Sequence, residues 1–113
     1  MSVTAFLLTV AVYPMLEEYL FRALLLREAD SRFVQWRGWR TNLAVSVLFG
    51  LAHLFAWPVM HAAAVILPSL FFGFLWQRYQ RWWLCSLAHG MANLIGWLWG
   101  QAVVNGLLQW FSA

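Results

Sequence analysis

Two adjacent carboxylates, Glu17 and Glu18, stand in a run that is otherwise apolar from Val3 to Leu26, with Arg22 one helical turn beyond Glu18. An ionised carboxylate at the centre of a bilayer costs roughly 2.5–3.5 kcal/mol on insertion scales, so such groups turn toward a bundle interior or a wet cavity and find partners there. The candidate partners are His53, His89 and Asn93, each set in an uncharged stretch. A carboxylate with a histidine across from it can take a proton from water, and a histidine–amide pair can donate hydrogen bonds to an oxyanion. Together these are the parts of a water-activating hydrolase.

Spacing divides the roles. Glu18 and Arg22 are four apart, so they share a helix face and pair, which keeps the arginine from meeting lipid as a lone charge. Glu17 points about 100° away and is left for another partner. His89 and Asn93 are also four apart and present an imidazole and an amide from one face. Taken singly, each histidine reads as a packing residue, and the glutamate pair as a structural ion cluster neutralised by Arg22. Phe49 reads as packing, and His61, close behind Pro58, as structural. What argues for catalysis is the coincidence of the polar residues at one depth.

The elements that must hold them follow from composition. Of 113 residues, 64% are hydrophobic and 10% charged, and the mean hydropathy is +0.69. A soluble domain averages about 25% charged residues, so the chain reads as an all-α membrane protein, a single domain over 1–113. Its net charge of +3 comes from arginine with no lysine. No water-exposed basic domain is present to bind nucleic acid. Cys85 has no partner for a disulfide or a metal cluster and reads as a small packed hydrophobe.

The apolar runs predict a bundle of about four transmembrane helices, roughly 3–26, 41–56, 59–77 and 82–104, with the polar site inside the bilayer. Pro14 leaves the Val10 carbonyl without its helical donor and predicts a kink beside the carboxylates. Trp57-Pro58 predicts a turn, Pro68 a kink in the third helix, and Asn105-Gly106 a break in the fourth. Four helices put the segments Arg27–Arg40 and Arg78–Arg81 on one side, which the positive-inside rule makes cytoplasmic. Trp36, Trp39, Trp76, Trp82 and Trp83 then form an aromatic belt at that interface. Counted down from it, Glu17 and Glu18 lie at roughly 14–15 Å, His53 at about 18 Å, His89 at about 10 Å and Asn93 at about 16 Å.

Glu17-Glu18-x-x-x-Arg22, Phe49-x-x-x-His53 and His89-x-x-x-Asn93, in that order on separate helices, resemble the three motifs of the CAAX protease and bacteriocin-processing (CPBP, or Abi) family. Its members are intramembrane endopeptidases related to the Ras-converting prenyl-protein protease. The resemblance spans Glu17 to Asn93. It implies that Glu17 activates water with His53, that His89 and Asn93 form the oxyanion site, and that Glu18, Arg22 and Phe49 support them. It also implies a membrane-associated substrate, a prenylated protein or one bearing a C-terminal sorting signal, and a multi-pass protein of a bacterial inner membrane. Lipid is an expected partner of the arginine face. Glu17, His53 and His89 are the set a zinc ion would use, but no His-Glu-x-x-His occurs and a glutamate–histidine pair explains the same residues, so no cofactor is expected. Gly96-x-x-x-Gly100 marks close helix contact, within the bundle or between protomers of a homodimer. The competing function is a membrane scaffold or bacteriocin-immunity protein that keeps the motifs as a polar core. A proton pathway is a third, with little support from four helices lacking an inverted repeat.

Overall fold

The computed structural model describes residues 2–112, and over these the chain is an all-α membrane protein with no strand. Helix α1 spans Val3–Arg32 and α2 Trp39–His53. Helix α3 covers Val59–Tyr79 and α4 Trp82–Ser112. Both α1 and α3 are long and apolar enough to cross a membrane. The long axis of 58 Å exceeds the roughly 30 Å of a hydrocarbon core.

Several helix boundaries differ from the sequence expectation. Helix α1 does not stop near Leu26 but runs to Arg32. Its last turns are made of good helix formers, and Arg32 pairs with Glu28 four residues back. Helix α2 starts at Trp39, after Gly38 turns the chain at φ +105°, and ends at His53 rather than Ala56. Helix α4 runs unbroken through Asn105 and Gly106. Those residues lower helix propensity by up to about 1 kcal/mol each but leave the backbone N–H that proline removes.

The prolines act where expected. Pro68 has no N–H to offer the Ala64 carbonyl, and α3 loosens at Val65 into Val59–Ala64 and Ile66–Tyr79. Pro14 does more than kink α1. The helix widens into a π-turn over Leu8–Val12, in which the Tyr13 N–H bonds to the Leu8 carbonyl five residues back. The Thr9 carbonyl would then wait for the N–H of residue 14, which proline lacks. A second π stretch covers Tyr19–Leu26.

Helix α4 closes on this irregular stretch. Gly90 lies so close to α1 that a methyl group there would overlap the Val10 carbonyl oxygen. A backbone neighbour cannot step aside as a side chain can, so Gly90→Ala is expected to destabilise the bundle by about 1–3 kcal/mol. Unfolding by SDS titration in bicelles reads this directly. The same change at Gly96 or Gly100 should not destabilise the monomer, because the space beside both is open and alanine is the better helix former. That openness corrects the reading of Gly96-x-x-x-Gly100 as a contact within the bundle. The contact glycines are Gly90, Gly73 and Gly50, Gly73 lying against the Asn42 side chain and Gly50 against Ala62 and Ile66.

Candidate active site

The carboxylates sit between the two π stretches of α1 and face α4. Glu18 and Arg22 are both fully buried, with Glu18 Oε1 3.2 Å from Arg22 Nε. The pair is an ion contact whose angles fall outside hydrogen-bond geometry. Arg22 spends its hydrogen bonds on α3. Its Nη2 donates to the Ser69 carbonyl at 2.9 Å and to Ser69 Oγ at 2.7 Å. Ser69 Oγ donates to Ser46 Oγ on α2 at 3.1 Å, and Ser46 Oγ to Asn42 Oδ1 at 3.3 Å. The guanidinium also lies 5.3 Å from the centre of the Phe49 ring, so its charge is distributed over three helices.

His89 on α4 closes the cluster. Its Nδ1 is 2.8 Å from Glu18 Oε2, and its Nε2 is 3.3 Å from Glu17 Oε2. One imidazole thus bridges both carboxylates from a buried position. Phe72 stacks on the ring at 4.9 Å with an 18° interplanar angle, and Phe49 meets its edge at 5.7 Å. When His89 carries a proton on each nitrogen, Glu17, Glu18, Arg22 and His89 sum to zero charge. A charge-neutral set is what a low-dielectric interior tolerates. Glu17 differs from Glu18 in access, its side chain remaining 35% exposed.

His53 is the last residue of α2 and half-buried. Its Nδ1 lies 2.7 Å from the Phe49 carbonyl, an acceptor only, so Nδ1 carries the proton and Nε2 is left as the acceptor. Its ring packs 4.5 Å from that of Phe49, and it lies within electrostatic reach of Glu17. His61 stacks on Trp57 at 4.6 Å, a packing role in keeping with the sequence expectation.

Asn93 reaches away from His89, onto α1. Its Nδ2 donates to the Thr9 carbonyl at 2.9 Å, filling the acceptor that the π-turn and Pro14 leave empty. One of the two amide N–H groups is therefore committed to holding α4 on α1 and the other is not. Asn93→Ala should cost about 1 kcal/mol by orphaning that carbonyl, measured as a lower thermal midpoint in detergent; Asn93→Gln should not restore it, being one methylene too long.

Ser46, Ser69 and Phe72 are the residues that sequence reasoning missed. The signal was available in two of them. A guanidinium at mid-membrane demands acceptors, and buried hydroxyls on neighbouring apolar helices are the groups that supply them. Among the described residues, no group of three His, Cys, Asp or Glu side chains could hold a metal ion. Glu17 lies 3.3 Å from His89 Nε2 and within electrostatic reach of His53.

A family model described as type II CAAX prenyl endopeptidase Rce1-like matches residues 1–95 of the chain. No curated protein and no solved structure matches it. The matched span ends two residues after Asn93 and contains all of the site residues described above.

Proposed function

The chain belongs to the Rce1-like family of type II CAAX prenyl endopeptidases, and on that premise we propose that it is an intramembrane protease in which Glu17 prepares water for attack on a peptide bond. Glu17 takes one proton from the water as its oxygen adds to the carbonyl carbon, and the carbonyl oxygen becomes an oxyanion. His89 Nε2–H and the uncommitted N–H of Asn93 donate to that oxyanion. Collapse breaks the C–N bond, and the proton held by Glu17 passes to the leaving amine. His53, with Nε2 unprotonated, orients the water as an acceptor. Glu18 and Arg22 hold His89 in place.

The observation that carries this reading is the unequal pair of carboxylates on one imidazole. Glu18 is sealed with Arg22, whereas Glu17 keeps an exposed edge. One acid is fixed as a counter-ion and the other is reachable by water and substrate. The substrate class is a membrane-associated peptide or lipidated protein, prenylated or carrying a C-terminal sorting signal. The Arg27–Arg40 and Arg78–Arg81 segments face the cytoplasm of a bacterial inner membrane, and Gly96 and Gly100 are the surface through which a second copy would pack.

A polar core without catalysis is the second reading, favoured by one fact: His89 is already held inside the chain, its Nδ1 bonded to Glu18 and its Nε2 in ion contact with Glu17. Cleavage decides between the two. The protein reconstituted in lipid is offered prenylated and plain peptides, with and without a zinc chelator, and products are read by mass spectrometry. The proteolytic reading expects paired fragments summing to substrate plus one water, undiminished by the chelator. Intact substrate throughout, from folded protein, supports the scaffold.

A further inference from the structure

At the arginine-bearing end of the bundle the last turns of α1 and α3 and the first turn of α2 are tied by a second polar knot. Gln77 Nε2 donates to the Gly38 carbonyl at 2.9 Å and to Asp30 Oδ2 at 3.2 Å. The Thr41 hydroxyl donates to Asp30 Oδ1. Beside this knot lies a cavity of about 490 Å³, lined by Arg27, Asp30, Ser31, Arg37, Trp76 and Gln77 among others. That volume falls within the range of small-molecule sites.

Three features of the lining point to one kind of occupant. Two guanidinium side chains face a single carboxylate, so the lining carries a net charge of +1 (two minus one), and Asp30 has its oxygens engaged by Thr41 and Gln77. Arg27 has no ion-pair or hydrogen-bond partner among the described residues, and Arg37 is held only through Nε on the Asp30 carbonyl at 3.3 Å. Trp76, expected in the exposed aromatic belt, is instead 6% exposed, and its indole Nε1–H has no acceptor. A buried donor without an acceptor costs about 1–3 kcal/mol, and Trp76 is one of the residues that line this cavity. Trp36 and Trp39, stacked against Arg40 at 5.3 Å each, mark this end as the level of the lipid headgroups.

We propose that this cavity binds a phosphate group, with the guanidinium groups of Arg27 and Arg37 and the indole N–H of Trp76 as its donors. A phosphodiester of charge −1 would neutralise the lining, and planar guanidinium groups suit phosphate oxygens. The two sources of that chemistry are an anionic phospholipid headgroup and a soluble phosphate ester. The site is separate from Glu17 and His89 and does not rest on the proteolytic reading.

The test measures binding, not cleavage. The full chain in neutral detergent is titrated with phosphatidylglycerol, phosphatidylcholine, glycerol 3-phosphate and inorganic phosphate, and bound species are counted by native mass spectrometry. Saturable binding of phosphatidylglycerol is expected, weakened at least tenfold in the R27Q/R37Q double variant and unchanged within twofold in R78Q/R81Q, which removes the same charge outside the lining. Trp76→Phe keeps the bulk, loses the N–H and should weaken binding several-fold. Binding of glycerol 3-phosphate with the same variant pattern assigns the site to the soluble ester; binding of the lipid alone assigns it to the headgroup. Equal losses in both double variants, or phosphatidylcholine binding as well as phosphatidylglycerol, would overturn the proposal, since the first is diffuse surface attraction and the second needs no net charge.

Discussion

Glu17→Gln is expected to lower the rate of peptide cleavage by about 10³-fold, within the roughly 10²–10⁴-fold range for a positioned general base. The amide keeps the shape of the side chain and can still accept from His89 Nε2, but it cannot take a proton from water at neutral pH. Because the Glu17 side chain is about one-third exposed, unfolding should shift by less than about 1 kcal/mol. Glu18→Gln should behave differently. It strips the charge that Arg22 and His89 both meet in a sealed site, so stability and activity fall together. Comparing the two neighbouring substitutions, by initial rates on a cleaved peptide and by SDS unfolding of the same preparations, separates a chemical role from a structural one. Equal effects at both positions would remove the distinction on which the mechanism stands.

The second large effect belongs to Arg22. It is fully buried and binds two oxygens of Ser69 besides facing Glu18. Arg22→Met fills a similar volume but leaves Glu18 with only His89 to compensate it. Removing one partner of a buried pair typically costs about 3–5 kcal/mol, because the remaining charge stays behind in a low dielectric. A loss of that size is expected in bicelle unfolding. Adding Glu18→Gln to Arg22→Met should recover part of it, since the uncompensated charge is then gone. By contrast, Glu28→Ala breaks the exposed Glu28–Arg32 pair and should be silent, as exposed pairs commonly are. If Arg22→Met unfolds no more easily than Glu28→Ala, the cluster is not the centre of the fold.

How much of the fold and site was legible in the sequence depends on what kind of partner each residue has. Side-chain pairs set by helical period were readable: Glu18 with Arg22 follows from their spacing, and His89 opposite the carboxylates follows from depth counted along apolar runs. The meeting of Glu17, Glu18 and His89 is where the geometry and that count agree. Partners made by backbone irregularity were not readable. Asn93 meets the Thr9 carbonyl only because Tyr13 reaches back five residues and Pro14 has nothing to donate, and no side-chain pattern announces a π-turn. Trp76 looked like an interfacial aromatic, yet it packs with Leu26, Val45 and Cys85 in the core, because a tryptophan near a helix end fits either setting. Asn105-Gly106 looked like a stop, but low propensity only weakens a helix where proline would break it.

Whether Glu17 acts on water or is itself the nucleophile is decided by cleavage in ¹⁸O-labelled water. After many turnovers the product and the enzyme are both digested and weighed by mass spectrometry. General-base attack predicts one ¹⁸O in the newly formed carboxylate of the product and an unlabelled peptide containing Glu17. Accumulation of ¹⁸O in Glu17 would mean that its carboxylate had been acylated and hydrolysed, and its role as a general base would be contradicted.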